Sequence, residues 1–146
     1  MSFREKSAWI TLVTVLLTMG TYYGALIFGA FEPQSMTSFH FALISIIALI
    51  VLQVALHIIA AVLNPADART PRDEREKLIQ ARSHTVGYYA MLIGMTVVVL
   101  ATHMPGLGEG LGLHSFMVTV YLGVGVMVIA SLAVAIAQIV MFRRGV

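Results

Sequence analysis

Four stretches of this chain, from about Ala8 to Ala30, Phe39 to Leu63, Val86 to Met104 and Ser115 to Phe142, contain no Asp, Glu, Lys or Arg. A helix rises about 1.5 Å per residue, so roughly 20 apolar residues cross the ~30 Å hydrocarbon core of a bilayer. In hydrocarbon every backbone N–H and C=O must find its partner within the protein, which continuous apolar segments achieve as helices. The composition agrees: 59% of residues are hydrophobic, 11% are charged, and the mean hydropathy is +0.91, outside the range of ordinary soluble domains. The expectation is an all-α, polytopic membrane protein with one membrane domain over residues 1–146, an antiparallel bundle of four transmembrane helices whose first partner is the lipid bilayer. The first stretch is too long for a signal h-region and runs into a short turn, so it reads as a span and not as a cleavable leader.

Lys and Arg near span ends are retained in the cytoplasm. Arg4 and Lys6 precede the first span, Arg69, Arg72, Arg75, Lys77 and Arg82 lie between the second and third, and Arg143 and Arg144 follow the fourth. All nine fall on one side, against Glu5, Asp67, Asp73, Glu74 and Glu76, while the opposite loops hold only Glu32 and Glu109. Both termini are therefore expected in the cytoplasm. A formal charge of +2 is too small a basic surface for direct nucleic-acid binding. With no cysteine, disulfides, thiolate metal sites and a cysteine nucleophile are excluded.

The cytoplasmic loop, Asn64 to Thr85, opens on the turn pair Asn64-Pro65. Thr70 as N-cap, Pro71 at the first helical position and the acids Asp73 and Glu74 predict a restart there, so that the third helix begins in the cytoplasm with Gly87 as a hinge. The Gly-rich loop from Pro105 to Leu113 reads as a linker. Thr11, Thr14, Thr18 and Thr21 share one face of the first helix, opposite the Gly20 and Gly24 pair, a spacing that fits self-association. Ser38, Ser45, Gln53, His57 and Asn64 share a face of the second, and Thr119, Gly123, Ala130 and Ala137 form a small-residue seam on the fourth. Polar faces in lipid turn toward other helices.

Gln53 and His57, four residues apart and about two turns above the cytoplasmic end, are the sharpest intramembrane pair. Gln138 is expected at a similar depth, with Tyr88 or Tyr89 completing a ligand-binding or proton-responsive cluster; the plain alternative is a set of buried groups tying helices together. Haem held by His57 and His84 within one chain fits poorly, because the two differ in depth by roughly 10 Å. His40, His103 and His114 lie at helix ends on the outer side and are weak metal candidates, lacking ligand spacing. The nine methionines scatter as packing residues. A multidrug-type proton antiporter would need an intramembrane carboxylate, and the spans contain none. No cofactor is indicated, and no paired carboxylates or nucleophile–base set points to an enzyme.

The least generic stretch is Pro71-Arg72-Asp73-Glu74-Arg75-Glu76-Lys77-Leu78-Ile79, followed by Arg82 and Gly87-Tyr88-Tyr89. With the four-span plan it resembles a group of small, functionally uncharacterised bacterial inner-membrane proteins that carry an Asp-Glu-Arg-Glu or Asp-Glu-Arg-Asp motif before the third helix. The resemblance implies a bacterial inner-membrane location and a module that sits beside a small helix-turn-helix regulator and controls it. On this reading Arg72, Asp73, Glu74, Arg75, Glu76 and Lys77 form a docking surface for a cytoplasmic protein; the plainer reading is a set of exposed ion pairs. The expected function is a non-enzymatic membrane sensor or docking module. The alternatives are a haem-, metal- or lipophilic-ligand-binding subunit and a small transporter or channel.

Overall fold

The computed structural model describes residues 3–32, 35–66, 70–71, 73–104 and 116–144. Four helices account for nearly all of them: α1 (Phe3–Ile27), α2 (Met36–Leu63), α3 (Glu74–His103) and α4 (Phe116–Arg144). Their lengths of 25, 28, 30 and 29 residues correspond to about 37 to 45 Å at 1.5 Å per residue, more than the ~30 Å of a hydrocarbon core. All four are long and apolar enough to cross a membrane. The fold is all-α, and it fits a multi-pass membrane protein.

The ends are set by local chemistry. α1 stops in a Schellman turn: Gly29 has φ +70°, its N–H reaches the Leu26 carbonyl, and the Ala30 N–H reaches Ala25, a geometry that needs a residue without a Cβ. Ser35 caps α2 by accepting the Ser38 N–H at 3.1 Å. The expected cap of α3 moves from Thr70 to Asp73. The Thr70 carbonyl, which as cap would accept the first helical N–H, is taken by Arg4 at 3.2 Å, and the Glu74 N–H goes to the Asp73 carboxylate at 2.7 Å.

In space the helices follow the order α2, α1, α4, α3, the main contacts being α1 with α2, α1 with α4 and α3 with α4. Each neighbouring pair is antiparallel. Lys6 meets Asn64 while Tyr22 meets Ser38, Glu5 meets Arg143 while Tyr23 reaches Tyr121, and Arg75 meets Phe142 while Gly94 packs on Val126. One end of the bundle therefore holds the α1 and α3 starts and the α2 and α4 finishes, together with all the described basic residues; it is called the basic end below.

α2 packs chiefly on α1, and nothing in its most apolar stretch is buried within the bundle. Large apolar side chains such as Ile44, Ile47, Ile58 and Val62 are more than half exposed, as surface facing hydrocarbon requires.

Gly87 is a packing position and not the expected hinge. α3 runs unbroken through it, and a Cβ there would stand 2.2 Å from Val134 Cγ2; at Gly94 it would stand 2.6 Å from Val126 Cγ1. Two glycines a heptad apart thus receive two valines of the antiparallel α4, which allows the backbones to approach closely.

Candidate functional site

Ser7 and Thr11 are one turn apart on α1, and Gln53 and His57 are one turn apart on α2, so two i, i+4 pairs face each other across an antiparallel seam. Ser7 Oγ lies 2.8 Å from His57 Nε2, and Gln53 Nε2 donates to Thr11 Oγ1 at 3.2 Å. His57 Nδ1 is 2.7 Å from the Gln53 backbone carbonyl. A carbonyl only accepts, so Nδ1 carries the proton, and in the neutral ring Nε2 accepts from the Ser7 hydroxyl. Toward the basic end Lys6 Nζ donates to Asn64 Oδ1 at 2.9 Å. All six side chains are partly buried.

Ser7 also belongs to a second environment. With Arg4 of α1, Glu76 and Gln80 of α3 and Gln138 of α4 it lines a polar cavity of about 160 Å³ at the basic end, below the ~300 Å³ lower bound typical of drug-sized pockets. Its size suits waters or a small ion. The Arg4 Nε to Glu76 ion pair, at 3.6 Å, forms part of its wall, and a second pair, Arg143 Nε to Glu5 at 3.6 Å, joins α4 to α1 at the same end of the bundle. The Arg143 guanidinium also lies 5.5 Å from the Trp9 ring centroid, and the buried Trp9 indole N–H has no hydrogen-bond partner.

The structure divides the expected ligand cluster. Gln53 and His57 bond to α1, whereas Gln138 donates to Ser83 Oγ of α3 at 3.1 Å. The row order explains this, because α1 separates α2 from the α3–α4 pair; the two groups come nearest through Ser7, which bonds His57 and shares the cavity wall with Gln138. Tyr88 does not join them. It is 62% exposed and meets the Tyr89 ring edge-on at 5.6 Å, because α3 turns its Gly87 face toward α4 and leaves residue 88 outside.

The charged motif divides as well. Arg72 lies outside the described residues. Asp73 caps α3, Glu76 holds Arg4, and Arg75 reaches toward the Phe142 carbonyl at 3.5 Å. Glu74 and Lys77 pair with each other at 2.6 Å and remain 87% and 57% exposed at their side chains. Of the described motif residues, two therefore fasten α3 to its neighbours, one caps it, and two face outward.

Of the outer histidines, His40 and His103 are exposed at the ends of α2 and α3, while His114, Glu109 and the Gly-rich loop lie outside the described residues. Among the described residues no group of three or more His, Asp or Glu converges as a metal site. The residues that sequence reasoning missed are Arg4, Ser7, Thr11, Gln80 and Ser83. The i, i+4 spacing of Ser7 and Thr11, matching that of Gln53 and His57, was the available signal. No family model, curated protein or solved structure matches the chain.

Proposed function

We propose that this chain is a non-enzymatic sensor or docking module of a bacterial inner membrane, with its basic end and both termini in the cytoplasm and the start of α3 presented to a cytoplasmic protein. One observation carries the reading. His57 touches Ser7, Ser7 lies one turn from Arg4, and Arg4 pairs with Glu76 in the first turn of α3, so a partly buried group at the α1–α2 seam is connected through α1 to the charged helix start.

The chemistry of that connection is defined. When His57 gains a proton, Nε2 becomes a donor, and the Ser7 hydroxyl must turn from donating to accepting. Lys6, which precedes Ser7 in the chain and pairs with Asn64, is a cation of the same seam. A change of pairing at Ser7 is felt at Arg4, and α3 is the element whose position both arrangements bias. Glu74 and Lys77, exposed and paired with each other, are what a partner would meet. The partner proposed is the helix-turn-helix type of regulator implied by the sequence resemblance.

Affinity capture from native membranes tests the reading. The parent should bring down a cytoplasmic protein that the paired reversal Glu74→Lys with Lys77→Glu loses while melting like the parent. No partner for the parent, or the same partner for the variant, overturns docking. Orientation is tested by Glu32→Cys, expected to label from outside intact cells, and Arg75→Cys, expected to label only after permeabilisation; outside labelling at position 75 overturns it.

A further inference from the structure

Between α3 and α4, with no residue of α1 in its lining, an open groove of about 540 Å³ runs along α4, within the size range of ligand sites. Its walls are Val86 of α3 and Ala133, Ile136, Ala137 and Val140 of α4, with the alanines leaving the trough between larger neighbours. Residues 133 to 144 span about 17 Å of helix at 1.5 Å per residue, a length that suits much of an acyl chain. At the basic end the same groove is lined by Arg82 and Arg144.

These two arginines differ from the other described cations. Arg4, Lys6, Arg75, Lys77 and Arg143 each have a carboxylate, amide or carbonyl partner, whereas Arg82 and Arg144 have no ion pair or hydrogen bond among the described residues, and both are exposed. Both line the same groove, and the general lean of helical side chains toward the N-terminus of their own helix favours convergence of residues placed like Arg82 and Arg144 on antiparallel helices. Two guanidinium groups without a partner among the described residues thus line one end of an apolar trough whose lining contains no acidic residue.

We infer that the α3–α4 groove is a binding site for an anionic phospholipid, with the phosphate held between Arg82 and Arg144 and one acyl chain lying along Ala133 and Ala137. Charge complementarity selects the occupant. An uncharged chain would leave both arginines unpaired, a protein segment would have no reason to bring an anion to this one end, and guanidinium matches phosphate in geometry as well as sign. The inference rests on the membrane placement of the bundle and is independent of the docking partner proposed above.

The test is native mass spectrometry of the full chain in detergent, with equimolar phosphatidylglycerol and phosphatidylcholine bearing the same acyl chains. The parent should retain phosphatidylglycerol about ten- to thirtyfold over phosphatidylcholine, the selectivity expected of two interfacial cations. Arg82→Gln with Arg144→Gln should bring the ratio to parity. Ala137→Leu, which fills the trough and keeps both charges, should lower retention of phosphatidylglycerol, and melting of each variant confirms that it is folded. Parity in the parent, or an unchanged preference in the arginine double variant, overturns the site. Displacement of the lipid by inorganic phosphate at equal concentration reassigns the arginines to a free anion and overturns it too.

Discussion

The α1–α2 and α3–α4 seams are both antiparallel helix pairs, and they are held by opposite means. Lys6 with Asn64, Ser7 with His57 and Thr11 with Gln53 form a ladder of side-chain hydrogen bonds across the first. In the second, Val134 and Val126 sit on Gly87 and Gly94, with the Gln138–Ser83 bond and the long Arg75–Phe142 contact beside them. Lipid removes the hydrophobic drive between helices, so each pair needs bonds or close packing. The difference matters for function. A hydrogen bond can reverse its direction when a proton arrives, whereas a valine seated on a glycine has one good arrangement. On the sensor reading proposed above, a change of pairing starts on the α1–α2 side, and α3, packed on α4, responds together with it as one body.

Breaking the packed seam should cost most. Gly87→Leu places a branched chain where even a Cβ meets the stiff Val134 side chain at 2.2 Å, and the expected destabilisation is about 1 to 3 kcal/mol or more, seen as a lowered melting temperature in detergent. Melting like the parent would mean that α3 and α4 are not packed this way.

The bonded seam should respond less. A double-mutant cycle of Ser7→Ala and His57→Leu should give a coupling of about 0.6 kcal/mol and at most about 1.7, the range for side-chain bonds between membrane helices. Additive effects would show that the two do not interact.

Smaller still is the link between the seams. Arg4→Glu and Glu76→Arg should each destabilise by less than about 1 kcal/mol, since the pair is partly solvated, and combining them should restore most of the loss. Failure of the combined variant to recover would assign each residue to other contacts.

The smallest effect is expected at Gly24, where a Cβ would meet nothing within 4 Å. Gly24→Leu should leave monomer stability within about 0.5 kcal/mol of the parent. Its use is to sharpen the comparison by adding a third kind of seam: if two copies associate through the open Gly20 and Gly24 face, cross-linked dimer falls while melting holds, and an unchanged dimer fraction removes this interface.

Much of this was legible in the residues. The polar face of α2 turns to α1 as its spacing indicated, with Ser38 and Ser45 buried beside Gln53 and His57. The threonine face of α1 was half legible. Thr14 and Thr18 are buried, but Thr21 is exposed, and Thr11, Thr14, Thr18 and Thr21 each donate to a carbonyl of their own helix one turn back. A threonine satisfied in this way needs no partner helix, so its presence says little about what it faces. Gly87 misled for a related reason: a helical glycine fits a hinge or a close contact equally well, and only the neighbour decides.

The four apolar helices, the all-α class and the concentration of positive charge at one end follow from the residues alone, because the length of an uncharged run and the sign of its flanks act locally, whatever the neighbours. Tertiary structure decided the order α2, α1, α4, α3. That order placed His57 against Ser7 instead of Gln138, turned Tyr88 outward, fastened Arg75 and Glu76 to the bundle, and left Arg82 and Arg144 at the mouth of an apolar groove. Helical periodicity assigns a residue to a face of its own helix; which helix covers that face follows from the packing of all four, which no single segment encodes.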